Sequence, residues 1–450
     1  MLDLLRSEGA VVSVGHSAEN LDRPRPPDIV VYSKAIPDTN PELAASRDRG
    51  LVTMHRAELL GHLMESRQAV CVCGTHGKTT TTAMLTAILT EVGQDPAMML
   101  GGEYGPLGGN VRNGHGQVFV AEACEAYDSF LSLYPEIAVV TNVEPDHLDE
   151  RTTFDHIRQS FRTFLGRIPE CGMVVACSDS PEVVSLIPDL RSRVETYGLR
   201  SFDPAGAGVQ SPTWTVRSAP GPGYTVFYQD ERVANLSLQV PGEHNLSNAL
   251  GAIAAANTLG VPPADSAAIL GSFAGVDRRF SVRGVKAGVM VVDDYAHHPS
   301  EVRATLAAAR SLMSARAAGC PSRLLSASEF RPFVDSRLIA AFQPHLYSRT
   351  AQFMAEFADS FEDADVVVIT EIYGAREQPI PGIDGMALAH RVCERWPEKT
   401  ILFVKELTDL PERVANLCRA GDMALTLGAG DITTVGAKIL ARIREGGGED

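Results

Sequence analysis

The 450-residue chain has no apolar run approaching the roughly 18 residues that a membrane-spanning helix needs. It is also short of positive charge, with 40 Lys and Arg against 56 Asp and Glu and a net charge of −16. That balance argues against a nucleic acid partner, and no polybasic cluster marks a membrane surface. Anionic small molecules stay open, because a few local Lys and Arg suffice to hold phosphate. Eight cysteines lie without regular spacing, which excludes a disulfide framework and points to reduced thiols in a cytoplasmic protein. Cys71-x-Cys73 alternates along an apolar run with no second pair, so it reads as core and not as half of a zinc site. The opening MLDLLRSEGA lacks the charged-then-apolar layout of a signal peptide. What is present is a globular composition, 44% hydrophobic and 21% charged, at a length that predicts two to four domains.

The most informative stretch is Ala69-Val-Cys-Val-Cys-Gly74-Thr75-His76-Gly77-Lys78-Thr79-Thr80. An apolar strand breaks at two glycines and runs into a helix expected over 78–89. Glycines there let backbone N–H groups approach a polyphosphate, and the helix start adds partial positive charge. Lys78 would reach the β- and γ-phosphates, and Thr79 or Thr80 would offer a hydroxyl to Mg²⁺. The spacing Gly-x-x-Gly-Lys-Thr is shorter than the usual phosphate loop, because Val72 stands where the outer glycine would be.

Three units are expected. Residues 1–66 should hold a thin parallel sheet, with strands at 10–14 and 28–32 and helices at 2–7, 40–49 and 56–65. Residues 67–284 should form a larger α/β unit around the phosphate loop, with strands at 118–121, 137–141 and 173–176. An antiparallel excursion is expected over 211–238 and a helix over 246–259. Residues 285–450 read as a doubly wound unit, with strands at 289–293, 338–342, 366–370, 401–404 and 423–427. An irregular loop is expected at 319–336 and a frayed tail at 446–450.

Strand ends carry the remaining chemistry. Glu122 and Glu125 follow one central strand, and Asp146-His147 the next; hard oxygen ligands suit Mg²⁺ on substrate phosphates, with Glu125 and His147 the leading candidates. Asp293-Asp294-Tyr295-Ala-His297-His298-Pro299 follows a strand of the last unit, and Gln343-Pro-His345-Leu-Tyr347-Ser-Arg349 repeats the arrangement one strand on. Arg278-Arg279 lies in the expected hinge. Clusters at strand ends in two units imply a cleft between them.

Together these motifs resemble the Mur ligase family over nearly the whole chain, and within it the branch that adds alanine to a UDP-sugar acid. The resemblance implies a three-domain α/β architecture: a truncated Rossmann-like N-terminal domain for the UDP part, a central phosphate-loop ATPase and a Rossmann-like C-terminal domain for the amino acid. It implies ATP-dependent joining of L-alanine to UDP-N-acetylmuramate through an acyl phosphate, with Mg²⁺, in peptidoglycan precursor synthesis, by a monomer or homodimer. Gly74 to Thr80 would hold ATP, with Asn245 and Asn248 near adenine and Arg279 and Asp293 on ribose and phosphates. Tyr295, His297, His298, His345 and Arg349 would face the amino acid or the intermediate. Asn110 and Arg112 would lie near the sugar, and Ser33 on a surviving part of the uridine surface. Lys78, His298 and Arg349 would carry the chemistry.

The chain departs from the family at four places. The expected opening strand and glycine-rich UDP loop are missing, so Met1 falls inside that domain and UDP binding is in question. Leu346 stands where arginine is common, 319–336 is long, and Cys124, Ala126 and Tyr127 vary the acidic stretch. A related ligase for another amino acid or peptide, and a silent nucleotide-binding protein, are the alternatives.

Overall fold

A strand that is apolar at every position is stable only where helices cover both faces of its sheet. β3 (Gln68–Cys73) is such a strand, buried from Ala69 onward, and it sits near the middle of a ten-stranded sheet. The computed structural model describes the chain except residues 1, 23–24, 35, 147–152, 202–210, 220–222, 318–329, 334 and 445–450. Much of the loop expected at 319–336, and the tail at 446–450, therefore lie outside the described residues.

The first unit is a two-stranded parallel sheet of β1 (Ile29–Tyr32) and β2 (Val52–His55). The strand expected at 10–14 does not form: Val11 and Val14 stand 65% and 83% exposed, with no sheet partner to cover them. The pairing goes to β2 instead. His55 then caps the helix Arg56–Met64, its Nδ1 accepting from Ala57 N while Glu58 returns to the His55 backbone.

The central strands are β4 (Ala97–Tyr104), β5 (Gly109–Arg112), β6 (Val118–Glu122), β7 (Ile137–Val140), β8 (Met173–Cys177), β9 (Arg193–Tyr197), β10 (Trp214–Ser218), β11 (Tyr224–Tyr228) and β12 (Glu231–Leu236). Their order is β12-β11-β10-β9-β8-β7-β3-β6-β4-β5. The middle is parallel, and the expected excursion is antiparallel at one edge. On one face the buried helix Lys78–Glu91 packs against the alanine-rich Glu243–Thr258, whose small side chains allow close approach. On the other, the helix Phe154–Leu165 buries Ile157, Phe161 and Phe164, and Phe130 stacks on Phe164 at 4.7 Å.

The last unit has β13 (Ser281–Lys286), β14 (Val289–Asp294), β15 (Leu338–Phe342), β16 (Val366–Thr370), β17 (Thr400–Val404) and β18 (Met423–Leu427), in the order β13-β14-β18-β15-β16-β17. Only β13 runs antiparallel, and a division at 284/285 would cut through it. Among the described residues no helix is long and apolar enough to cross a membrane. Phe164→Ala should cost about 3–5 kcal/mol, the loss typical of a buried aromatic ring. An unchanged urea midpoint would contradict this packing.

Candidate functional site

The phosphate loop owes its shape to two glycines. Gly74 (φ 130°) and Gly77 (φ 82°) have left-handed backbones, and a Cβ would lie 2.1 Å from Thr141 Oγ1 at the first and 2.4 Å from Asn248 Oδ1 at the second. The loop is braced from the end of β7: Asn142 O accepts from Thr75 N at 2.9 Å, and Asn142 Oδ1 from His76 N at 2.8 Å. Lys78 is buried; its ammonium donates to the Thr75 carbonyl at 2.8 Å and to Glu125 Oε2 at 2.9 Å, with the Gly74 carbonyl a third acceptor. Burial works against that charge, but Glu125 outweighs it and the Lys78 pKa rises. Glu122 accepts from Thr79 Oγ1 and from Gly101 N, each at 2.8 Å.

The second half comes from the last unit. The helix Pro299–Ala317 follows β14, and Glu301 in its first turn accepts from the backbone N–H of His297 and His298. The same carboxylate lies 3.2 Å from His76 Nδ1, 3.1 Å from His297 Nδ1 and 3.4 Å from Arg279 Nη1. Burial would raise its pKa, yet the His297 and His76 charges hold it well below the usual carboxylate range. His76 is 13% exposed; burial opposes its charge, but Glu301 and Glu144 carry its pKa up to about 9. His298 moves the other way, to about 4, through burial and the neighbouring His76. Their rings lie 4.8 Å apart. Ser300 Oγ sits 2.6 Å from His298 Nδ1, 2.7 Å from Glu144 Oε2 and 3.2 Å from His76 Nε2.

Further along the contact, Arg349 donates to Asp146 Oδ1 at 2.8 and 3.1 Å, and to His345 Nδ1 at 3.3 Å. Both partners of the ion pair are buried. Beside these contacts lies a cavity of about 710 Å³, lined by His76, Gly77, Thr80, Asn245, Asn248, Arg279, Ser300 and Glu301 among others. It is large enough for a nucleotide.

The loop, Asn245, Asn248, Arg279, Tyr295, His297, His298, His345 and Arg349 thus converge on one cleft, with the two arginines Arg278 and Arg279 over the Tyr295 ring. Asp293 does not: its carboxylate is fully buried between Thr426 Oγ1 and Arg283, while Asp294 lines the cavity. Burial pushes the Asp294 carboxyl up to about 6. Arg112 is taken up by Asp95 and the Pro96 carbonyl, and Asn110 and Ser33 are exposed. His147 lies outside the described residues, and Glu125 pairs with Lys78. Sequence reasoning missed Glu144, Ser300 and Glu301, and it placed Asp294 in its cluster without giving it a role. For Glu301 the signal was available, as an acid at the third position of a helix opening with Pro299.

The chain matches the Mur ligase family catalytic domain over residues 2–68, the Mur ligase middle domain over 72–256 and the Mur ligase glutamate ligase domain over 278–430. It is 40% identical to the UDP-N-acetylmuramate–L-alanine ligase of Trichlorobacter lovleyi over 441 residues, 98% of this chain and 90% of that one. The ligase of the same name from Salinibacter ruber is 40% identical over 99% of this chain and 88% of its own. The crystal structure of UDP-N-acetylmuramate-alanine ligase from Thermotoga maritima superposes with a TM-score of 0.76 at 27% identity, covering 98% of this chain and 90% of that chain. A murein peptide ligase from Psychrobacter arcticus shares the fold, with a TM-score of 0.65 at 23% identity over 98% and 90% of the two chains.

The pKa of His76 gives a pH dependence. Its folded value, about 9, lies above the ordinary 6.5, so its stabilisation is complete below pH 6.5 and is lost as pH rises through about 9. The groups facing it are Glu144, Ser300, His298 and Glu301. Urea midpoints should fall less across this window in His76→Gln than in the parent; equal falls would refute the assignment.

Proposed function

The chain belongs to the Mur ligase family, and on that premise we propose that it joins L-alanine to UDP-N-acetylmuramate, with ATP converted to ADP and phosphate. The observation that carries the reading is the meeting of the phosphate loop, through His76, with His298 and Glu301 of the last unit beside one cavity. A carboxylate is a poor electrophile, because its charge repels a nucleophile and oxide is a poor leaving group. Phosphorylating the muramoyl carboxylate supplies a leaving group, and the amine of alanine then displaces phosphate to form the amide.

The chain's residues have little covalent work in this; they position the reactants and neutralise charge. Lys78 is the cation for the transferring phosphoryl group, and the glycine turn offers the N–H groups around it. Asn245 and Asn248 border the cavity beside Gly77 and fit the nucleoside end. Arg279 fits the phosphates and Arg349 a carboxylate of the incoming amino acid. Tyr295, His297 and His345 form an aromatic wall between them. His298, held neutral at neutral pH, can accept the proton that the alanine amine sheds as the amide forms. Asn110, Arg112 and Ser33 lie apart from this cleft and fit only the far, UDP-sugar end of the substrate. Asp293 gives up its nucleotide role to Asp294.

For Mg²⁺ the donor chemistry fits: Thr79, Glu122 and Glu125 gather hard oxygen ligands beside Lys78. When bound, the ion would neutralise phosphate charge.

Phosphate release measured with UDP-N-acetylmuramate, ATP and a panel of amino acids should be strongest with L-alanine. Lys78→Ala should lower kcat by about 10²–10³-fold or more, as for other lost charge stabilisers, with the fold intact by circular dichroism. Retained turnover would remove the phosphate-loop assignment. A preference for another amino acid would move the chain to a different branch of the family.

A further inference from the structure

The oxygen donors around Thr79 suit Mg²⁺, but a nitrogen-rich donor set lies where the central and last units meet. We propose that His76, Glu144 and His298 form a separate metal site, for a borderline-soft divalent cation such as Zn²⁺, that ties the two units together.

The geometry is that of two histidines and one carboxylate. One ligand atom from each lies within 4.8 Å of the others; Glu144 Oε2 is 3.6 Å from His76 Nε2 and 3.9 Å from His298 Nδ1. Tetrahedral zinc with bonds of about 2.0–2.2 Å places neighbouring ligand atoms about 3.4 Å apart. The three side chains need only a small inward movement to reach it.

The outer partners match as well. A metal-bound histidine commonly donates its remaining ring N–H to a carboxylate or a backbone carbonyl, which fixes the tautomer and the ring plane. Here His76 Nδ1 faces Glu301 Oε1 at 3.2 Å, and His298 Nε2 donates to the Pro145 carbonyl at 3.2 Å. Both remote nitrogens are thus engaged, and both near nitrogens point at Glu144. Ser300 Oγ stands among the three donors, where the ion would sit, so on binding it turns aside to become a fourth ligand or leaves that position to water. Imidazole donors favour Zn²⁺ or Co²⁺ over Mg²⁺.

The consequence is conformational. His76 and Glu144 belong to the central unit and His298 to the last, so one ion would hold the cleft shut without nucleotide. His76 also borders the cavity beside Gly77, so metal and nucleotide would compete. The proposal goes beyond the ligase reaction and does not depend on which amino acid is joined.

The test is a titration of Co²⁺ into the full-length, nucleotide-free protein under excess Mg²⁺, followed by visible absorption. Exposed Cys171 and Cys393, and Cys320, are first changed to serine to remove competing thiolates. One equivalent should bind with the intense bands of a tetrahedral ion and be displaced by Zn²⁺. Glu301→Gln, which meets His76 at its remote Nδ1 and none of the three proposed ligand atoms, should weaken binding by about 10–100-fold, and Glu144→Gln and His298→Asn by more. Electron–nuclear double resonance on the Co²⁺ form of the unmutated site should show imidazole nitrogen, which keeps the test valid if a variant misfolds. Binding unaffected in folded Glu144→Gln and His298→Asn, or a bound ion without imidazole nitrogen, would overturn the site.

Discussion

A cation buried in a dry cleft must be neutralised whether or not a substrate is there, and this site is arranged around that requirement. Lys78 rests on Glu125, Arg349 on Asp146, and His76, His297 and Arg279 share Glu301. Removing one member of such a pair leaves an unpaired buried charge, at about 3–5 kcal/mol. The cations that an anionic substrate needs are therefore held by internal carboxylates until phosphate or carboxylate oxygens replace them. Exchange of one anion for another costs far less than exposing a bare charge, so the site can be preorganised and still open to ligand.

The two large sheets explain why these pairs meet. Parallel strands present their carboxyl ends together, and loops there escape the ladder and can carry polar groups. β7 delivers Asn142, Glu144 and Asp146; β14 and β15 deliver the His clusters. The glycines of the phosphate loop convert strand into helix within a space too small for a Cβ. Glu301 then joins the two sheets, because one carboxylate both caps its own helix and reaches His76 on the loop.

Much of this was legible. Fully buried strands announce themselves as unbroken apolar runs, and the Gly74–Lys78 turn carries its mechanism in its residue types. The small unit was harder, because β2 is only four residues long, while 10–14 is a mostly apolar run that finds no partner. Asp293 and Asp294 show a different limit. Neighbouring strand residues point to opposite faces, and nothing in the composition says which face meets the cavity; here it is Asp294. Pairings across the cleft, such as Arg349 with Asp146, join positions 203 residues apart and leave no local trace.

Of the contacts that join the central and last units, the hydrogen bonds and ion pairs set the register. The Pro145 carbonyl accepts from His298, Ser300 reaches Glu144, and Arg349 meets Asp146. All are polar. A buried ion pair returns little more than its desolvation cost, so these contacts choose one register without making closure deeply favourable. A broad apolar seam across the same interface would hold the cleft shut at all times and trap the product. Polar contacts leave open and closed states close in energy, and a ligand that binds the closed state better needs only its differential affinity to tip the balance. A ligase that must exclude water from an activated acyl group, yet release its product each cycle, needs that near-balance.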